Sequence, residues 1–314
     1  MKPMAQEPSA VEASIVIPSY RRPGQLADTL RSCLAQTGVD GPVEIIVVDN
    51  DPAGSARETA LAMAAHSAIP IRYVHEVRAG ISHARNTGVA NATGRYLVFI
   101  DDDEEAVPGW LAAFLAVMRR TDADLAVGPV YPKFPGVMQP VDDYRFAVYT
   151  RDAGVESGTE LSRWGGIGNT ILDKARCFGD DDCPFAPELG LSGGEDALFL
   201  RGLARRGRKL VWCAEAAVWE TVPPGRLDPN YLLLRSFRGG QLTTFLHSAA
   251  RPLEIGRIAW WMTVGLAQVL IFGPLGLALR VIQHRRWLPV LAKAASGLGK
   301  LLWPSRLQLN LYRR

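Results

Sequence analysis

Cysteine is scarce in this chain, with four residues (Cys33, Cys177, Cys183, Cys213) in 314. They include no C-x-x-C pair, and no histidine stands at zinc-finger spacing. A disulfide scaffold and a structural zinc module are thereby excluded, and the cysteines read as reduced thiols of a cytosolic protein. No G-x-G-x-x-G follows the first strand, which argues against a dinucleotide-dependent dehydrogenase. The start, MKPMAQEPSAVEAS, lacks an apolar core and carries Glu7 and Glu12, so it is not a signal peptide, and residues 1–12 are expected to form a disordered leader. There is no internal repeat and no low-complexity tract. Net charge is nearly absent at +3, but it is unevenly spread. Residues 251–314 hold ten Lys and Arg against one acid, Glu254, a balance of +9, which leaves −6 for the first 250. A basic tail on an acidic body suits a polyanionic partner, nucleic acid or anionic lipid.

What is present is a regular alternation of strand and helix signals. Short apolar runs rich in β-branched residues occur at 14–18 (SIVIP), 43–48 (VEIIVV), 70–74 and 95–100 (RYLVFI). Helical periodicity occupies 23–36, 82–92 and 108–120. Continuous apolar strands separated by helices predict a mainly parallel sheet covered on both faces, hence an α/β fold. Residues 132–166 predict a long loop with a short helix. Strand character returns at 169–172, 209–212 and 217–219, with a helix over 194–206. Pro223-Pro224-Gly225 and Asp228-Pro229 then break the chain. The expected domains are 13–228, catalytic, and 229–314, a helical tail.

Functional residues in such sheets gather at the carboxyl ends of strands. Here the first strand runs into Ser19-Tyr20-Arg21-Arg22, the second into Asp49-Asn50-Asp51 and the fourth into Asp101-Asp102-Asp103. Carboxylates one residue apart at a strand end can grip a hard divalent cation, Mg²⁺ or Mn²⁺, which often completes its shell with substrate phosphates. The same tripeptide at Asp180-Asp181-Asp182 follows Cys-Phe-Gly rather than a strand and reads as a solvated turn.

SIVIPSYRRP, EIIVVDND, GISHARNTGVANATGRYLVFIDDDE and GGEDALF, in that order, resemble the inverting family 2 glycosyltransferases of the GT-A fold over about residues 13–220. VVDNDP, ARN, FIDDDE and WCAEAAVWETVPP look closest to bacterial exopolysaccharide glucosyltransferases of the succinoglycan type. The resemblance implies a nucleotide pocket walled by Pro18, Ser19 and Tyr20 with Arg22, and a uracil read by Asp49 or Asn50. Gly80, Arg85 and Asn86 match its G-x-x-x-A-R-N segment, with Arg85 suited to the diphosphate or to Asp101. Asp101 and Asp103 match the outer positions of D-x-D: Asp103 as direct metal ligand, Asp101 on the ribose or on the metal through water, with Asp102 among the nucleotide contacts.

Inversion is a single displacement and needs one base on the acceptor hydroxyl. By resemblance that base is Asp196, in Gly193-Gly194-Glu195-Asp196, with Glu195 beside it. Two departures stand out. The processive Q-x-x-R-W motif is replaced by Arg235-Ser-Phe-Arg238-Gly-Gly-Gln241, which points to single-sugar addition. Where many relatives carry a metal-binding His, this chain has Glu220. Trp164, Gly166 and Asn169 are expected on the acceptor side, as are Arg235 and Arg238.

The tail contains 22 uncharged residues, 258–279, enough to cross a bilayer. Arg251 and Arg257 precede the run; Arg280, Arg285 and Arg286 follow it. Basic residues on both sides favour helices lying in the cytosolic leaflet over a single span. Nucleic acid fits poorly, because long apolar runs interleave the basic residues. The sequence thus predicts a metal-dependent transferase moving a hexose, glucose by the resemblance, from a UDP-sugar to a lipid-linked saccharide at the cytoplasmic face of the plasma membrane. The alternatives are transfer to polyprenyl phosphate and a non-catalytic scaffold among polysaccharide assembly proteins.

Overall fold

The computed structural model describes residues 11–304 apart from 138–139, 180, 182 and 250–251. Most of the expected leader lies outside the described residues, as do Asp180, Asp182 and Arg251. Val11 and Glu12 are already fastened to the sheet: Arg95 N donates to the Val11 carbonyl and Tyr96 N to that of Glu12.

The elements run β1 (Ala13–Ser19), α1 (Pro23–Leu34), β2 (Val43–Asp49), α2 (Arg57–Ala64), β3 (Ile71–His75), α3 (Ile81–Asn91), β4 (Tyr96–Phe99), β5 (Glu104–Ala106) and α4 (Trp110–Thr121). They continue β6 (Leu125–Val127), β7 (Val130–Lys133), α5 (Asp143–Tyr149), β8 (Thr170–Asp173), α6 (Lys174–Cys177), α7 (Glu195–Arg205), β9 (Leu210–Trp212) and β10 (Val218–Thr221). Three helices close the chain: α8 (Pro229–Ser248), α9 (Ile255–Val281) and α10 (Trp287–Leu301).

The described residues form a seven-stranded sheet in the order β3-β2-β1-β4-β8-β6-β9. All its pairs are parallel except those of β8, which opposes both β4 and β6. A strand entered from a long excursion, without a crossover helix, is free to run backwards. Alternation along β1 sends Ile15 and Ile17 into one core with Leu26, Leu30, Trp110 and Phe114, and Val16 into the other with Ala84, Val89, Phe199 and Leu200. Helices therefore cover both faces, α1 and α4 on one and α3 and α7 on the other. A second sheet, β5-β10-β7, stands beside the carboxyl end of β4, and its antiparallel register sets Glu220 opposite Glu104.

The chain divides into two compact units, 1–133 with 149–221, and 134–148 with 222–314. The stretch expected to be one long loop is thus shared between them: β7 and the 149–169 segment belong to the first unit, most of α5 to the second. In the second unit α8, α9 and α10 pack together.

Candidate active site

The β1–β2 register pairs Ser19 with Asp49, and the β1–β4 register ends at Val16 with Phe99, so the polar strand ends share one rim. Asp102 turns back onto the β1 end, where its Oδ2 accepts from Ser19 Oγ (2.9 Å) and Tyr20 N (3.1 Å). Arg22 donates to Asp102 (2.9 Å) and Asp103 (2.7 Å) from one nitrogen. Burial works against the Arg22 charge, but Asp103 and Asp102 outweigh it and hold its pKa above the ordinary value. Pro18 precedes Ser19, the last residue of β1, and Tyr20, next along the chain, is exposed.

Asp49 and Asn50 are engaged by protein partners. Asp49 is fully buried, accepting from Asp51 N, Ala56 N and Tyr73 Oη. Asn50 donates to the Glu76 and Arg78 carbonyls and accepts from Gly80 N, clamping the 76–80 turn. As folded, both side chains are held by backbone and side-chain partners of the sheet edge. Gly80 holds φ +123°, which only glycine adopts readily. Asn86 is likewise occupied: it both donates to and accepts from the Phe185 backbone, tying α3 to the segment that leads into α7.

Arg85 joins the two halves of the site. Its Nη1 lies 2.5 Å from Glu195 Oε1, with both side chains buried, and its Nη2 lies 3.6 Å from Asp101. Of its two carboxylate partners, the anticipated one, Asp101, is the looser; the tight one, Glu195, was not anticipated. Glu195 Oε2 is buried without a hydrogen bond. Burial pushes the Glu195 carboxyl up to about 7, Arg85 opposes the shift and Asp196 adds to it. Gly194 caps α7 at φ +100°, and the helix opens on Glu195 and Asp196. Asp196 keeps part of its surface toward solvent, yet dense surroundings still raise its pKa, with Arg85 and Arg151 opposing.

Backbone from Gly165 to Gly168 passes between the acid groups. A Cβ at Gly166 would stand 3.9 Å from Asp196 Oδ2, and one at Gly168 would stand 2.7 Å from Asp101 Oδ2 and 3.1 Å from Glu104 Oε1. The sequence reading missed Arg151. A two-way backbone bridge to Val130 sets its guanidinium 3.2 Å from Glu104 and 3.0 Å from Glu220. An arginine emerging from an aperiodic loop carries no sequence signal. Glu104 was missed as well; it is fully buried, and burial with Asp101 and Glu220 nearby raises its pKa well above the ordinary range.

Asn169 is buried: its amide accepts from Trp110 Nε1 and donates to the Pro129 and Ala216 carbonyls, clamping three segments together. Trp164 packs on Trp212 with ring centroids 5.1 Å apart. Arg235 and Arg238 belong to the second unit, on α8; Arg238 is buried, which removes it as a solvent-facing phosphate contact.

Seven carboxylates (Asp101, Asp102, Asp103, Glu104, Glu195, Asp196, Glu220) meet three guanidiniums (Arg22, Arg85, Arg151) at this rim. Among the described residues no three carboxylate, imidazole or thiol groups close around one point. Instead Arg22 covers Asp103 and Arg151 covers Glu220. Burial lifts Asp103 to about 7; Arg22 opposes, while Asp102, Glu220 and Asp101 add to the rise. Hard oxygen donors in excess of nearby positive charge fit a divalent cation in chemistry, with the arginines standing on the ligand oxygens.

The sequence model of Glycosyl transferase family 2 matches residues 14–183, more than half the chain. The chain belongs to glycosyl transferase family 2. It is 35% identical over 230 residues to the succinoglycan biosynthesis protein ExoM of Rhizobium meliloti strain 1021, covering 71% of each chain. Among solved structures it is similar to S. aureus TarS 1–349 in complex with UDP-GlcNAc, with TM-score 0.53 and 15% identity over 92% of this chain and 90% of that one. It is also similar to GalNAc-T7 with UDP, GalNAc and Mn²⁺, with TM-score 0.53 and 16% identity over 77% and 52%. At these identities the solved structures speak for the fold, which is the expected GT-A α/β architecture.

Proposed function

We propose that this family 2 glycosyltransferase moves a hexose, glucose in the first instance, from a UDP-sugar to a lipid-linked saccharide by one inverting displacement. One observation carries the reading: the Arg85–Glu195 pair and the 165–168 backbone bring Asp196, at the start of α7, onto the same rim as Asp101 and Asp103. The similarity to ExoM supports a role in polysaccharide synthesis, and the TarS complex supports a uridine nucleotide as donor carrier. The GalNAc-T7 complex supports a divalent cation.

In this proposal Asp103 and Asp101 hold Mg²⁺ or Mn²⁺, which supplies charge to offset the diphosphate. Arg22, which pairs with Asp102 and Asp103, supplies a guanidinium suited to the phosphates. Tyr20 lines the uracil side of the pocket. Asp196 takes the proton of the acceptor hydroxyl on the face opposite the leaving nucleotide. Glu195 positions Asp196 through Arg85 and does not touch the sugar. Arg151 holds Glu104 and Glu220 together, so Glu220 supports the cation site from behind instead of ligating directly. Trp164 and Gly166 border the acceptor. The reaction takes place at the cytoplasmic membrane face, where lipid-linked acceptors present their sugars.

A screen of UDP-sugars by UDP release, with lipid extract as acceptor and Mn²⁺ or Mg²⁺ present, tests this reading. UDP-glucose is expected to be consumed only when both lipid and cation are added. No UDP release with any donor, together with no cation-dependent UDP binding, would overturn it.

A further inference from the structure

Helix α9 is long and apolar enough to cross a membrane, yet the second unit uses it in a different way. One face is fixed inside the bundle. A methyl on Gly265 would come within 2.7 Å of the Gly297 carbonyl oxygen of α10, so the two backbones meet at glycine. At mid-helix, Gln268 accepts from the Lys300 ammonium at 3.0 Å, and Lys300 also donates to Ser296. Lys293 stands over the Phe272 ring at 5.1 Å, and Trp261 donates to His247 of α8 at 3.0 Å. The inner face of α9 therefore meets cationic and polar groups of α10 and α8 among its glycine and leucine contacts.

The outer face is bare. Trp260, Leu266, Leu270, Ile271, Leu277 and Val281 recur at helical spacing and are all exposed. No charge interrupts the helix between Arg257 and Arg280, and Arg285 and Arg286 follow it. At 1.5 Å per residue the 27-residue helix is about 40 Å long, against a hydrocarbon core of about 30 Å. Were it upright, Lys300 would lie near mid-depth, where a charged group is costly. Lying flat, the same helix sinks its apolar stripe among the acyl chains, sets its terminal arginines at the phosphates and keeps Lys300 and Lys293 on the aqueous side.

We infer that α9 docks in the plane of an anionic bilayer surface through this stripe, with both ends on the same side of the membrane. Charge complementarity selects the occupant. A second copy pairing tail to tail would need acids to meet the arginines, and the one acid of the tail, Glu254, is already bonded to His247. An anionic lipid surface supplies negative charge at both ends of the stripe at once. This deepens the membrane placement in the proposed function and is independent of donor chemistry.

Flotation of the full chain with phosphatidylcholine vesicles, with and without about 30% phosphatidylglycerol, tests the surface. Binding should require the anionic lipid and weaken from about 0.1 to 0.5 M salt. The double variant Leu270→Glu with Leu277→Glu changes exposed positions, so the fold should survive by circular dichroism while binding falls by about tenfold or more. Orientation is read in inverted inner-membrane vesicles of the expression host. Gly256→Cys and His284→Cys are made singly in a Cys183→Ser background and treated with a membrane-impermeant maleimide. Both positions are exposed, and a side chain at Gly256 meets open space. Both ends should label equally from the cytosolic side. Protection of one end until detergent is added would overturn the inference in favour of a span. A lipid-free dimer in sedimentation that the Leu270→Glu, Leu277→Glu pair dissociates would overturn it in favour of a second copy. UDP binding measured on the same preparations separates failure here from failure of the donor-site reading.

Discussion

Arg85→Ala should destabilise the protein in a pH-dependent way that identifies its partner. Arg85 and Glu195 are both buried, and the separation is 2.5 Å. Asp101, the other neighbour, is 3.6 Å away and a third exposed, so water screens that contact. Glu195 sits at about 7 in the fold, raised from 4.5 chiefly by burial. Below that pH it is protonated with or without Arg85, and the variant loses only a charge-assisted hydrogen bond, about 1.5 kcal/mol. Above it, the wild type holds an ionised pair, whereas in the variant the carboxyl is pushed higher and stays protonated. The penalty then grows by at most about 1.4 kcal/mol per pH unit. At pH 8 the cost should reach about 3 kcal/mol, the low end for breaking a buried pair. Urea unfolding of the wild type, Arg85→Ala, Glu195→Gln and the double variant at pH 6 and 8 measures it. Glu195→Gln should recover most of the pH 8 loss when added to Arg85→Ala. A cost equal at the two pH values, or a coupling energy near zero, would refute the argument.

Gly168→Ala places a methyl against Asp101 and Glu104 and should lower cation-dependent UDP affinity about tenfold, with about 1–3 kcal/mol of destabilisation; unchanged calorimetry would count against the tight passage. Asn169→Ala strands three buried partners and should cost about 2–4 kcal/mol in denaturant while leaving UDP affinity intact; unchanged stability with a raised acceptor KM would restore an acceptor role. Asp103, lifted to about 7, holds its proton in the fold where the unfolded chain has lost it, so ligand-free stability should fall as pH rises from about 4 to 7. With Asp103 as the proposed ligand, cation binding must expel that proton, so cation-dependent UDP affinity should climb by up to about tenfold per unit from pH 6 to 7 and level off by pH 8; a flat profile in calorimetry would contradict it.

The sheet was legible because its strands are buried on both faces. β1, β2 and β4 are runs of apolar β-branched and aromatic residues, and each ends where the side chains turn polar. β5, β6 and β7 span only three or four residues, too short for any period to show. The reversed direction of β8 left no mark either, since direction depends on how the chain re-enters the sheet. Asp101, Asp103, Glu195 and Asp196 could be picked out by type and context. Their partners could not. Glu104 and Glu220 meet through a β10–β5 register that no local pattern encodes, Arg151 reaches both from its bridge to Val130, and Arg85 meets Glu195 from 110 residues away. Asn50, Asn86 and Asn169 stood in motif positions, but an amide that satisfies backbone groups looks the same in sequence as one that meets a ligand.

The division of labour between cation site and base is tested most directly by Asp196→Asn, examined for UDP binding by calorimetry with Mn²⁺ and for sugar transfer by initial rates on the same preparation. The substitution keeps size and polarity and removes only the proposed base. UDP affinity should stay within about twofold of wild type while transfer falls by about 10²–10⁴. Transfer that persists, or UDP binding lost together with it, would contradict the assignment of Asp196 as the base.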